Sequence, residues 1–358
     1  MLTTRQTAVA GAAIGVGALL VGLVLGTSEA QIIGQTRRVS VDGTTAASTD
    51  KLKEIYQRPG TIPFPKDNPY TPEKALLGKK LYFDTRLSSA NLLSCASCHS
   101  PGYGWGDGQP VGVGHNMKPL GRRSPTIVNA AYGEIFMWDG RAASLEEQAL
   151  GPIQADVEMN LPLDQLIARL KAIPEYAPLF KAAYGSETVG PEPIAKAIAT
   201  YERTVVSGRA PFDAWIEGDD NAISLSAKRG FALFNGKGDC AACHRGWNFT
   251  DDSFHDIGLR TEDIGRGKFV KNVPKMQHAF KTPNLREIAR RGPYMHNGSV
   301  PTLEAVVAHY NDGGVVRPSR AERIKPLSLT RDEQQDLVAF MQTLTSNLDP
   351  TTVPVLPR

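Results

Sequence analysis

The sequence predicts a mainly α-helical chain of two related domains with long irregular loops, and three observations carry that prediction. All four cysteines among the 358 residues fall in two copies of one pattern, Cys95-Ala96-Ser97-Cys98-His99 and Cys240-Ala241-Ala242-Cys243-His244. Upstream of each copy stands the same G-x-x-L-aromatic run, Gly78 to Tyr82 and Gly230 to Phe234. Downstream of each, apolar residues recur at helical spacing: Ile194, Ile198, Tyr201 and Val205 after the first, Leu337, Met341 and Leu344 after the second. The domains are accordingly placed at 60–208 and 218–348, with Gly208 to Asp220 as the crossover.

Composition removes several classes. With 41% hydrophobic and 22% charged residues the chain is neither a disordered polymer nor a many-span membrane protein. Forty Lys and Arg against 37 Asp and Glu leave a formal charge of +3 with no concentrated basic stripe, so nucleic acid is excluded as a partner.

Taken in order, residues 1–30 read as a signal peptide or an N-terminal membrane anchor. Arg5 precedes an uncharged apolar stretch from Ala8 to Gly26, long for a cleaved core and close to the roughly 20 residues a spanning helix needs. Ser28 and Ala30 suit a signal peptidase, which makes cleavage before Gln31 the competing reading. Either way the bulk of the chain is expected in the periplasm, free or tethered to the inner membrane. Residues 31–59, rich in Thr, Ser, Gly and Gln at their start, read as a flexible linker. The first domain opens with a helix capped by Thr71 with Pro72 at its first position. The last helix of the second carries a capping box, Thr330 with Glu333.

C-x-x-C-H is the attachment signature of c-type haem: the two thiols add across the vinyl groups and the adjacent His is placed to bind the iron. A redox C-x-x-C does not need the His or a second copy. Zinc would want the pairs close together, whereas 141 residues lie between Cys98 and Cys240. Disulfides rarely close loops this tight. The expectation is two covalently bound haem c groups on Cys95, Cys98, His99 and on Cys240, Cys243, His244, in two cytochrome c-like domains. Ser100–Asn160 and Asn248–Thr302 are longer than an electron carrier needs, and loops of that length usually build a site. Met137, Met159 and Met341 read as packing residues.

Those loops carry a resemblance. Trp138-Asp139-Gly140-Arg141-Ala142, Leu145-Glu146-Glu147-Gln148-Ala149 with Gly151-Pro152-Ile153, Phe280-Lys281-Thr282-Pro283-Asn284-Leu285-Arg286 and Pro293-Tyr294-Met295-His296-Asn297-Gly298 resemble the bacterial dihaem cytochrome c peroxidases and their relatives of the MauG type. The resemblance spans nearly the whole exported part. It implies a peroxidatic haem on Cys95, Cys98 and His99, overlaid by Gln148, Pro152 and Glu158, and an electron-transfer haem on Cys240, Cys243 and His244. Glu158 is then the candidate general base and acid, taking a proton from hydrogen peroxide and returning it to the departing oxygen. Its competing reading is a solvated loop carboxylate. Trp138 resembles the tryptophan between the haems, where it can be a relay, a core aromatic or both.

Two positions divide the subfamilies. Tyr310 stands where peroxidases carry a Met ligand to the second haem, as in the MauG pattern; phenolate is hard and anionic and favours ferric or higher states, whereas Met favours ferrous iron. His115, sixteen residues after His99, stands where those peroxidases have a displaceable sixth ligand and MauG has none; it reads equally as a loop residue in Gly112–Asn116. The family also binds Ca²⁺ through an Asn whose place here is taken by Arg123 and through backbone near Arg291 and Pro293. A guanidinium cannot ligate a cation, so Arg123 is expected to supply the charge and no Ca²⁺ to bind. The implied function is a dihaem peroxidase reducing hydrogen peroxide with electrons from a small exported donor, a cytochrome c or cupredoxin. The alternative is a MauG-like enzyme using peroxide to oxidise a Trp or Tyr of a partner protein. A plain dihaem electron carrier is disfavoured by Glu158 and Gln148, and the chain is expected as a monomer or homodimer.

Overall fold

A computed structural model describes residues 51–347 and 351–358. The segment read as signal peptide or anchor, and most of the linker, lie outside them. Among the described residues no helix is long and apolar enough to cross a membrane.

Helix α1, Pro72–Phe83, starts as its sequence dictates: the Thr71 side chain accepts from Lys74 N at 3.2 Å, and Pro72 takes a first-turn position where its missing N–H costs nothing. A single turn, α2 (Cys95–Cys98), carries the first haem motif. Then follow α3 (Leu145–Gln154), α4 (Leu163–Lys171), α5 (Tyr176–Tyr184) and α6 (Pro191–Thr204). The second half contributes α7 (Pro211–Ile216), α8 (Leu225–Asn235), α9 (Leu303–Asp312) and α10 (Arg331–Gln342). Thr330 opens α10 with both bonds of its box, accepting from Glu333 N at 3.2 Å and donating its own N–H to Glu333 Oε2 at 2.8 Å. The long loops hold short 3₁₀ turns and one antiparallel ribbon, β1 (Phe254–His255) with β2 (Phe280–Lys281).

The glycine of each G-x-x-L-aromatic run has the same task. Helix α1 packs on α6, and α8 on α10. A Cβ at Gly78 would land on the backbone oxygen of Ala197, and one at Gly230 on that of Asp336. The glycines therefore set how closely the paired helices approach. On an exposed helix, Gly→Ala stabilises by about 1 kcal/mol. At Gly230 the obstacle is backbone, so overpacking at the upper end of its usual range, about 3 kcal/mol, should dominate. Gly230→Ala is expected to lower the denaturant midpoint; a raised midpoint would show the approach to be slack.

Two apolar cores form. The first gathers Leu77, Leu81 and Tyr82 of α1 with Ile194, Ile198 and Tyr201 of α6. The second is aromatic, with Phe212 meeting Phe249 and Phe340 edge to face and Phe231 at a tilt. Two expectations are adjusted. The crossover is not a bare connection, because α7 sends Phe212 and Trp215 into the second core. The stretch read as a linker ends in structure: residues 51–55 are helical, and Tyr56, 1% exposed, enters the second core and donates to Asn235 Oδ1 at 2.7 Å.

The halves are tied through their loops. Arg122 bridges Asp139 and Asp263, each at 2.5 Å. Lys281 N donates to Trp138 O at 2.8 Å, and Asn284 Nδ2 to Val128 O at 3.1 Å. Within the second half, Arg286 is fully buried against Trp247 and pairs with Asp213 at 2.9 Å, pinning α7 to the loop that precedes α9.

Candidate active site

Each haem motif ends on a histidine held in the same way. His99 Nδ1 lies 2.7 Å from Pro125 O, and His244 Nδ1 lies 2.8 Å from Phe249 O. A carbonyl only accepts, so Nδ1 carries the proton in both rings and Nε2 keeps its lone pair for a metal. Burial lowers the pKa of both, which holds them neutral, as ligation requires. The thiols point the same way. Burial pushes Cys98 up to about 11, Cys240 up to about 12 and Cys95 higher still. Redox C-x-x-C motifs and zinc sites stabilise thiolate; burial keeps Cys95, Cys98 and Cys240 unionised. All four are free of disulfides.

A cavity of about 510 Å³ opens over the second motif, lined by Cys240, Cys243, His244, Met295 and Tyr310. Such a volume lies in the range that takes a flat, cofactor-sized molecule. Tyr310, on α9, projects into it, and burial first, then Cys240 and Cys243, pushes its phenol well above the ordinary range. Among the described residues the phenol makes no hydrogen bond to protein, so it is free to meet a group held in the cavity. The residues therefore fit a haem, which Cys240, Cys243 and His244 would hold and Tyr310 would face.

The first motif borders a smaller cavity, about 150 Å³, lined by His99, Arg123, Met137, Trp138 and Gln148. Gln148 Nε2 lies 3.8 Å from Met137 Sδ. Pro152 sits inside α3, where it has no N–H for the Gln148 carbonyl. The chain leaves α3 at Ala155 and turns back, Glu158 N donating to Ala155 O at 3.0 Å. Glu158 does not line the cavity, but its carboxylate is near enough to Cys98 to raise that thiol. Burial raises Glu158 itself, and Arg141 opposes it. His115 does not line the cavity either: its Nδ1 is 3.3 Å from Ser89 Oγ, and its N–H is shared by Val157 O at 3.0 Å and Glu158 O at 2.8 Å.

Trp138 lines both cavities and donates from Nε1 to Arg123 O at 2.8 Å. Beside it, buried His296 stacks on Phe280 with ring centroids 3.5 Å apart, and burial lowers its pKa to about 4. The two rings meet edge to face at 6.4 Å.

Trp138 and His296 are the same position in a longer repeat that the G-x-x-L-aromatic runs only begin to show. Ser124-Pro125, Phe136-Met137, Gly140 and Leu145-Glu146 match Thr282-Pro283, Tyr294-Met295, Gly298 and Leu303-Glu304, each partner 158 residues further on without a gap. The backbone repeats too. Asn129 and Glu287 share φ 61°, Met137 and Met295 share φ 70°, and Phe136↔Ala142 and Tyr294↔Val300 form equivalent bridges. Ser144 caps α3 as Thr302 caps α9. In that register Pro152 is the counterpart of Tyr310. One half places a phenol where the other places a residue with nothing to donate.

Comparison with known proteins agrees with this architecture. Residues 72–221 match the model of the Di-haem cytochrome c peroxidase family, and residues 227–345 the cytochrome c family. The chain is 54% identical to a methylamine utilization protein MauG of Methylorubrum extorquens, over 86% of this chain and 88% of that one. The chain belongs to the dihaem cytochrome c peroxidase and MauG family. It is an oxidoreductase whose cofactor is haem c. It is also 34% identical to a cytochrome c551 peroxidase of Pseudomonas aeruginosa, over 82% of this chain and 84% of that one. The crystal structure of a MauG-like protein associated with microbial copper homeostasis superposes with a TM-score of 0.75 at 30% identity, covering 81% of this chain and 95% of that one.

Proposed function

We propose that the chain is exported to the periplasm, carries two haem c groups, and uses hydrogen peroxide at the first to oxidise a Trp or Tyr of a partner protein, as MauG-like enzymes do. The observation that supports this reading is the equivalence of Pro152 and Tyr310: a proline has no side-chain donor and would leave a haem of the first half unligated on that side, whereas the Tyr310 phenol lines the second cavity and would, as a ligand, favour oxidised iron. Bound haem supplies peroxide activation and a store for two oxidising equivalents. Around it, Glu158 moves the proton, Gln148 borders the site, and Trp138 spans the wall between the cavities. His115, bonded to Ser89 and to the Val157 and Glu158 backbone, would hold that loop rather than serve as a haem ligand. Arg123 stands in for Ca²⁺; one Ca²⁺ per chain in chelator-treated protein would overturn that assignment.

The second reading, reduction of peroxide with electrons from a small exported donor, is favoured by the cytochrome c551 peroxidase among the relatives. Stopped-flow mixing of the fully oxidised holoprotein with peroxide separates the two. A rapid change in both haem spectra supports the first reading. Inertness until one haem is reduced supports the second.

A further inference from the structure

Arg123 and Arg291 present a buried charge that no protein carboxylate pairs directly. They are 7% and 4% exposed, and both line the cavity that His99 borders. Neither has a carboxylate within ion-pair reach among the described residues, and the Nε of each has no partner. Arg291 donates Nη1 to Asn284 Oδ1 at 3.2 Å and Nη2 to Asn284 O, neutral acceptors both. The nearest acids are otherwise engaged. Asp107 accepts from Ser124 Oγ at 2.7 Å and from Gln109 N at 3.0 Å, while Glu287 accepts from Ser346 Oγ at 2.5 Å. The two cations repel each other, and burial with that repulsion lowers Arg291 to about 9. Two buried guanidiniums side by side without a carboxylate are costly, and buried charges that persist are paired.

We infer that Arg123 and Arg291 form a carboxylate-binding pair facing the first haem site, and that the propionates of the haem held by Cys95, Cys98 and His99 are its anion. The planar forks suit carboxylate oxygens, and the cavity holding the orphaned Nε atoms is the one His99 enters. Among the described residues the other buried arginines, Arg203 and Arg286, pair with protein carboxylates; these two do not. The pair makes the haem's own acid groups part of the contact between the halves, since Arg123 belongs to the first loop and Arg291 to the second. The inference rests on the reading that a haem occupies the first site.

The test is spectroelectrochemical titration of the holoprotein with Arg123→Met, Arg291→Met and Arg123→Lys, after the haem count has been fixed by pyridine haemochrome. A wild-type chain without haem on Cys95 and Cys98 would sink the site reading itself. With two haems present, each Met variant is expected to lower the midpoint potential of one haem only, because a positive charge that disfavours ferric iron has gone, and Arg123→Lys is expected to restore most of the shift. Unchanged potentials in both Met variants overturn the inference. A free anion is the other source of carboxylate. If wild-type potentials respond saturably to sodium formate and Arg123→Met abolishes the response, the pair serves that anion and the propionate assignment fails. Both Met variants remove a buried, unpaired cation, so folding is expected to survive. Loss of folding in all three variants, including Arg123→Lys, would mean the pair is structural and would overturn the inference as well.

Discussion

Glu158→Gln is expected to slow the reaction with hydrogen peroxide by about 10²- to 10⁴-fold, the span that a positioned acid–base group contributes. The carboxyl is partly buried beside Cys98, and burial outweighs Arg141 in raising its pKa. A raised value brings the group toward the pH at which it works and makes its two proton transfers better matched. The sign follows. Peroxide must meet the carboxylate form, so the rate should fall as pH drops through the raised pKa, at a higher pH than for an ordinary glutamate. Glu158→Gln should lose that limb altogether, and Glu158→Asp should keep it. Removing Arg141, which lowers the pKa, should move the limb further up. Stopped-flow rates across the acid range check all three; wild-type turnover in Glu158→Gln would remove Glu158 from the mechanism.

Tyr310→Met is expected to raise the potential of the second haem by a few hundred mV, within the roughly 0.8 V over which axial ligands move haem potentials, and to abolish the reaction of fully oxidised protein with peroxide. The phenol stands in a cavity of about 510 Å³ without a protein hydrogen bond, so a thioether loses no partner and the fold should tolerate it. A haem poised to stay ferrous cannot share oxidising equivalents, and the variant should need one electron before it reacts. Spectroelectrochemistry reads the first effect and stopped-flow the second. A variant that still reacts when fully oxidised would show that the identity of this ligand does not decide the branch.

The haem c cofactor was legible in the sequence because covalent attachment demands fixed spacing, and a C-x-x-C-H pair admits few other uses. Thr71, Thr330 and the paired glycines were legible because caps and close helix contacts are local or repeat visibly. The equivalence of Pro152 with Tyr310 was available but obscured: the matched residues differ in chemistry, Trp against His and Asp against Asn, and what repeats is a backbone path with left-handed Met137 and Met295. Contacts such as Arg122 with Asp263 carry no sequence signal, because loop closure over 141 residues can bring almost any pair together. Arg291 was read only as a backbone position, and nothing in sequence says that its side chain goes inward beside Arg123.

Tyr56 sets a condition on assembly. The second aromatic core includes a ring from a segment synthesised before the whole first half, and its hydrogen bond to Asn235 joins residues 179 apart. Neither half can be cut free cleanly: a fragment beginning after residue 60 would leave a hole among Phe212, Phe231 and Phe249. Contacts between residues so distant in sequence slow folding. The segment that carries Tyr56 must wait until α7, α8 and Phe249 have been made to receive it. The described chain is thus threaded as one object, Tyr56 stitched to the second half around the half that lies between.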